Sequence, residues 1–251
     1  MKLVAMLRVK NQILTIHDCL SKLSELVDEI VIVDNGSTDG TLTAYKKYPK
    51  IVVVKKTSGY HEGRDKILAH KLAKTRHPDW ILWIDADEIF EDSVTRNQLN
   101  QYMSNPGLEK VEFRMFNFWR CKTHYRVDGI WRRYTAFPQR HMWKNISNAY
   151  FRNLKLHNGG IMGIMGKHTI SHIRLKHFGY VWPQQFKTKT LTYNRLQNHP
   201  RSTKTLSLEE TNIKLSQWHE SSSAITNRYY QFLSNTYWNF TQFRYNLLYR
   251  S

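Results

Sequence analysis

Lys2–Leu7, Glu29–Val33, Ile51–Val54 and Trp80–Ile84 are nearly unbroken apolar runs that do not alternate with polar residues. A strand that is apolar throughout is covered on both faces, which is the condition of a parallel sheet sandwiched between helices. The intervening segments agree. Asn11–Leu26 places Ile13, Ile16, Leu20, Leu23 and Leu26 at helical spacing. Thr38–Tyr48 opens on a Ser/Thr/Asp cluster able to cap a helix, and Gly63–Thr75 carries Ile67, Leu68, Leu72 and Ala73 on one side. Strands alternating with helices predict an α/β fold over residues 1–90.

The polar residues fall in step with this pattern. Arg8, Lys10 and Asn11 follow the first run, Asp34 the second, Gly59, His61 and Arg64 the third, and Asp85 and Asp87 the fourth. Open parallel sheets bind ligands outside the carboxyl ends of their strands, so these groups are expected along one rim. Asp85-Ala86-Asp87 sets two carboxylates close together, and they repel unless a cation or donors balance them. A divalent ion on Asp87 that bridges to a diphosphate answers this, and Asp85 can then accept from a ribose hydroxyl. The plainer alternative is a solvated loop whose acids begin the next helix. Asp34 can accept from a base or a ribose, while Ser37, Thr38 or Asp39 cap the following helix.

After this region the pattern changes. Lys110–Phe118 alternates at Val111, Phe113 and Met115, which predicts a half-buried, antiparallel strand. Residues 120–180 are rich in aromatics, glycines and histidines and are read as short strands and loops; from about Leu208 the spacing turns helical.

Met6–Asn11, Val33–Thr41 and Trp83–Glu88, taken as a set, resemble the family 2 glycosyltransferases. The resemblance implies a GT-A-type, Rossmann-like nucleotide-binding sheet over 1–90, a mixed acceptor-binding half over 91–205, and a C-terminal helical extension over 206–251. It implies a metal-dependent, inverting enzyme that moves a sugar from a nucleotide-sugar, with UDP and Mn²⁺ or Mg²⁺, to a saccharide or glycoconjugate acceptor. Carried over by residue, Asp34 contacts the nucleobase, Arg64 the nucleotide, Asp85 the ribose and Asp87 the metal, with Arg8 and Asn11 on the same cofactor rim. Position 12 is Gln where relatives often carry an acid. The family also implies a late metal-binding histidine, for which His177-Phe178-Gly179-Tyr180 is the matching segment. A neutral imidazole suits manganese, and His168 and His172 compete for the role.

Inversion needs a base facing the acceptor hydroxyl. Asp128, between Arg126 and Arg132-Arg133, is the last aspartate of the chain and the candidate; a salt bridge to one of those arginines is its other reading. Glu88 and Glu91-Asp92 are too near the metal motif. Trp119, Trp131, Trp143 and Trp182 could line an acceptor groove or pack in the core.

The formal net charge is +18 over 251 residues, and after Asp128 the only acids are Glu209, Glu210 and Glu220. Such a surface suits phosphorylated small molecules, an anionic membrane or polymer, or nucleic acid. A basic nucleic-acid- or polyanion-binding protein is therefore one rival, although the carboxylate rim would repel a phosphate polymer and no nucleic acid is expected. A sugar nucleotidyltransferase is another, and the glycine-free loop Arg8–Asn11 counts against it. Cys19 and Cys121 have no metal-type spacing and fit a reducing compartment. No run of about 18 apolar residues is present, and the N-terminus reads as a first strand. The expected location is cytoplasmic, with the aromatic and basic tail Thr226–Tyr249 able to rest peripherally on a membrane or against a second subunit.

Overall fold

The computed structural model describes residues 1–129, 140–156, 160–196 and 213–220. Strands β1 (Leu3–Val9), β2 (Glu29–Asp34), β3 (Ile51–Lys56) and β4 (Trp80–Trp83) are parallel, with β4 beside β1, β1 beside β2 and β2 beside β3. Helices α1 (Ile16–Leu26), α2 (Thr41–Ala44) and α3 (Glu62–Lys74) connect them.

Successive side chains of a strand point to opposite faces. Leu3, Ala5 and Leu7 therefore pack with Leu20, Leu23 and Leu26 of α1, while Val4 and Met6 pack with Ala69 and Ala73 of α3. This is why β1 tolerates no polar residue until Arg8. The third run departs from the expectation of two covered faces. β3 is the edge of the sheet, and Val52 and Val54 are exposed. Lys55 and Lys56 follow on the same edge, where charge discourages pairing with another chain.

α1 starts at Ile16, five residues later than the periodicity suggests, because residues 11–13 are held by the next loop. Asn11 takes a left-handed conformation (φ 51°), and the Gln12 and Ile13 amides donate to the Thr41 hydroxyl and the Asp39 carboxylate. The second helix shrinks for the same reason: Asp39 and Gly40 (φ 95°) belong to this junction, so α2 begins only at Thr41.

The second half continues the sheet. β5 (Glu88–Phe90) and α4 (Arg96–Met103) lead to β6 (Leu108–Trp119), β7 (His124–Arg126), β8 (Arg140–Lys144) and β9 (Lys167–Tyr180), then to α5 (Pro183–Leu196) and β10 (Leu215–Gln217). β8 is antiparallel to both β4 and β6 and joins the halves, while β9 runs parallel to β6 and antiparallel to β5. The mixed α/β architecture expected for a GT-A-type sheet is present. The long strand β9 was not expected from residues 120–180.

β6 is not half-buried. Lys110, Glu112 and Arg114, on the face opposite Val111 and Phe113, are buried as well. Residues two apart share a strand face, which lets Lys110 Nζ pair with Glu112 Oε1 at 2.7 Å; His141 Nδ1 on β8 lies 3.5 Å from the same oxygen. Burial drags Lys110 toward neutrality and pushes Glu112 upward, but His141 and Lys110 outweigh burial and hold Glu112 down at about 2. The short contact and the low carboxyl both fit an ionised pair.

Within the expected helical extension the described residues 213–220 hold a short strand, Leu215–Gln217, and no helix. β10 adds to the edge at β7, and Trp218 packs on Phe116, Phe118 and Tyr125 beneath the Arg174 guanidinium, 3.9 Å from its ring centre. An open sheet edge with an aromatic seat overrides the local helical spacing. The boundary placed at 205/206, the tail Thr226–Tyr249, Trp131, Arg132 and Arg133 lie outside the described residues. No described helix is long and apolar enough to cross a membrane.

Candidate active site

In the parallel ladder Val9 aligns with Asp34, Asp34 with Lys56, and Met6 with Trp83, so the chain leaves all four strands along one edge. Asp34 and the Asp85–Asp87 turn therefore lie at the same end of the sheet.

On the α1 side of that edge the loops brace one another. The Asn11 amide donates to Ser37 Oγ (2.9 Å), and Asn11 Oδ1 accepts from the Thr38 amide (2.8 Å). Asp34 is fully enclosed. Its Oδ1 accepts from the Ser37 amide (2.7 Å) and its Oδ2 from the Tyr45 hydroxyl (2.7 Å); burial and this carboxylate push the Tyr45 phenol up, so it stays a donor. Asp34 and Asn11 thus shape the loop 35–38, with their side-chain oxygens committed inside it.

On the α3 side the organiser is Asp65, which sequence reasoning missed. Its carboxylate is wholly buried and accepts from Arg8 Nε (3.4 Å), Asn35 Nδ2 (3.1 Å), and Arg64 Nε and Nη2 (2.9 and 2.8 Å). One acid ties the tips of β1 and β2 to the start of α3. The one available signal was an acid in a helix's first turn beside an arginine. Arg8 lies 4.5 Å over the Tyr60 ring; burial opposes its charge, but Tyr60, Asp85, Asp65 and Glu62 together hold its pKa above the ordinary value. Arg64 also donates to the Gly59 carbonyl (2.9 Å) and is partly exposed. The first amides of α3 are already satisfied: Glu62 and Gly63 donate to the Lys155 and Leu154 carbonyls, and Arg64 to the Nδ1 of the capping His61. That helix end is not left open for an anion.

At the β4 tip Asp85 is half-buried and Asp87 is buried. Strand β9 brings His177 opposite Glu88 in the β5 ladder, and His177 Nε2 lies 3.2 Å from Asp87 Oδ2. One ligand atom each from Asp87, Glu88 and His177 lie within 4.8 Å of one another, and all three residues are buried. Glu88 was not among the metal candidates. His168 and His172 sit roughly 30 and 16 Å back along the strand at about 3.3 Å per residue; His168 is at the Lys110 level and His172 bonds the Tyr102 hydroxyl.

The test of whether these residues suit a divalent ion is the backbone beside them. A Cβ on Gly179 would sit 2.7 Å from Asp87 Oδ2 and 2.7 Å from His177 Nε2. Glycine leaves that space free between two groups that can both ligate. Two carboxylates and an imidazole make an oxygen-rich donor set with one nitrogen, which fits Mn²⁺ or Mg²⁺.

Asp128 is gripped by Arg126, whose Nε and Nη2 lie 2.7 and 2.9 Å from its two oxygens. The guanidinium holds its carboxyl below the usual range, which weakens it as a base. Trp119 and Trp143 are core residues, and Trp182 is partly buried against the α1-side core. A cleft between Pro78–Trp80, Met103–Leu108 and Lys144–Asn145 opens at the opposite edge of the sheet. Its acid, Asp79, accepts from the Lys2 amide.

The family model described as glycosyl transferase family 2 matches residues 7–156. An uncharacterized glycosyltransferase of Rickettsia felis is 36% identical over 87 residues, covering 35% of this chain and 29% of that protein. An uncharacterized protein of Mycobacterium tuberculosis is 26% identical over 102 residues, 38% of this chain and 25% of that protein. Among solved structures, S. aureus TarS superposes with a TM-score of 0.50 at 18% identity, covering 79% of this chain and 40% of that one, a likeness of fold. The chain spans about three tenths of the length of the Rickettsia relative.

Proposed function

The chain belongs to glycosyl transferase family 2, and on that premise we propose that it transfers a sugar from a UDP-sugar to a hydroxyl of a saccharide or glycoconjugate, with inversion and with Mn²⁺ or Mg²⁺. The observation that carries the reading is the buried group Asp87, Glu88 and His177 around the space that Gly179 leaves free. In this reading those three residues hold the ion, which would offset the charge that grows on the departing diphosphate.

The remaining residues position the donor. Asp85, half-buried beside Arg8, accepts from the ribose. Arg8 and Arg64, aligned by Asp65, face the nucleotide with fixed positive charge. Asp34 and Asn11 act one step back, by holding loop 35–38 in shape. Asp128 serves to fix Arg126, whose guanidinium lies 4.5 Å over the Trp119 ring.

The test is release of UDP from a panel of UDP-sugars with Mn²⁺, with and without EDTA, and with the anomeric form of the product read by NMR. Metal-dependent UDP release with an inverted product supports the reading. Failure of UDP and Mn²⁺ to bind, by titration calorimetry, overturns it.

A further inference from the structure

We propose that Asn117 is a positioning residue that sets the tautomer of His177, so that Nε2 presents its lone pair to the space beside Asp87. The inference rests on the metal reading above. Asn117 and His177 are register partners in the parallel β6–β9 ladder, and both are buried. Asn117 Oδ1 lies 2.6 Å from His177 Nδ1. A carbonyl oxygen can only accept, so Nδ1 carries the hydrogen, and a neutral imidazole then has its lone pair on Nε2. That nitrogen faces Asp87 Oδ2 at 3.2 Å. The Tyr180 ring meets the imidazole edge-on, 5.2 Å between centroids and 85° between planes, which holds the ring from a second side.

The cost side of the residue points the same way. Asn117 Nδ2 is buried with no hydrogen-bond partner among the described residues. An unpaired buried donor lowers stability, and a leucine of similar size would remove that burden. What the leucine could not do is accept from Nδ1. Outer-shell partners of this kind fix the orientation and raise the basicity of a ligating histidine.

The experiment is calorimetric titration of MnCl₂ into the full chain with saturating UDP, comparing wild type, Asn117→Leu and Asn117→Asp. Asn117→Leu is expected to weaken Mn²⁺ binding by about 10- to 100-fold, while Asn117→Asp, which keeps an acceptor oxygen, restores it. Nitrogen-15 NMR of histidine-labelled wild type with Mg²⁺ and UDP, assigned with His177→Gln, is expected to show the proton on Nδ1 and none on Nε2. An unchanged affinity in Asn117→Leu or an equal loss in Asn117→Asp overturns the inference and leaves the metal reading standing, whereas a proton on Nε2 overturns the inference and removes His177 from the ion's ligands. Wild type that binds no Mn²⁺ overturns the metal reading and the inference with it. If Asn117→Leu does not fold, the wild-type NMR spectrum decides alone.

Discussion

Strand β1 buries Leu3, Val4, Ala5, Met6 and Leu7 and shows its first charge, Arg8, where it reaches the rim, whereas β6 buries Lys110, Glu112 and Arg114 in its body. The two halves of one sheet thus place charge differently. In the first half the strand interiors are apolar, and ionisable groups gather where the strands end. Among the described residues of the second half, several charges are buried against partners: Lys110 with Glu112, Arg174 with Glu91, Lys176 with Asp92 and Glu220, Arg126 with Asp128. His177, by contrast, is carried by β9 back to the rim of the first half.

The comparison breaks most visibly at Asp87. Asp87→Ala should reduce metal-dependent UDP release by about a thousandfold or more with little change in unfolding midpoint, because this carboxylate faces the rim. A variant that keeps full Mn²⁺-dependent turnover sinks the metal assignment.

A partner removed from the second half should act on stability instead. Glu112→Gln leaves Lys110 buried without its carboxylate and should cost about 3–5 kcal/mol in denaturant unfolding. The double variant Lys110→Met/Glu112→Leu should recover most of that loss. Equal losses in the single and double variants would show that packing, and not the unpaired charge, is what matters.

Acid should separate the halves. His70 on α3 packs edge-on against Trp143 and Phe151, and burial followed by Lys74 lowers its pKa from 6.5 to about 4. Its folded pKa lies below its unfolded one, so its contribution is intact above about pH 6.5 and declines as pH falls toward 4, by about 3 kcal/mol in all. Glu112, lowered from 4.5 to about 2, loses its contribution in a later window, as pH falls from about 4.5 to about 2. His70→Phe should flatten the earlier decline and leave the later one. A stability curve unchanged between pH 6.5 and 4 would contradict the burial of a neutral imidazole.

Gly179→Ala should cost about 1–3 kcal/mol by overpacking and should abolish Mn²⁺ binding in the presence of UDP. Retained binding would mean that the ion sits elsewhere. At the smallest end, Val54→Thr on the exposed edge of β3 should shift stability by less than about 0.5 kcal/mol, since one face of that strand meets water.

How much of this could be read in advance differs by half. Four strands, their order along the chain and the rim residues Arg8, Asp34, Asp85 and Asp87 were legible, because a covered parallel strand needs an apolar run and open parallel sheets bind ligands at their carboxyl ends. The alternation in β6 was read as one wet face. Period two reports only that two faces differ, and it cannot tell water from a buried Lys110–Glu112 pair. Within the segment from Leu208 that looked helical, Leu215–Gln217 is strand, because short apolar spacings are ambiguous and the edge at β7 takes it as β10.

Apart from the first-turn position of Asp65 in α3, the residues that complete the site had no local signal. Asp65, Asn117 and Glu88 acquire their roles from groups 57, 60 and 89 positions distant in the chain: Asp65 from Arg8, Asn117 from His177, Glu88 from the same histidine across the ladder. The chain alone determined where apolar segments must be covered and which acids stand at their ends, since hydrophobic period and strand polarity are local properties. Which oxygens stay open to a ligand and which are absorbed by neighbouring donors was decided only in the folded state, because hydrogen-bond partners are set by distance in space. Asp34 and Asp87, alike in sequence setting, acquire different partners: one is closed in by Ser37 and Tyr45, the other meets His177 beside Gly179.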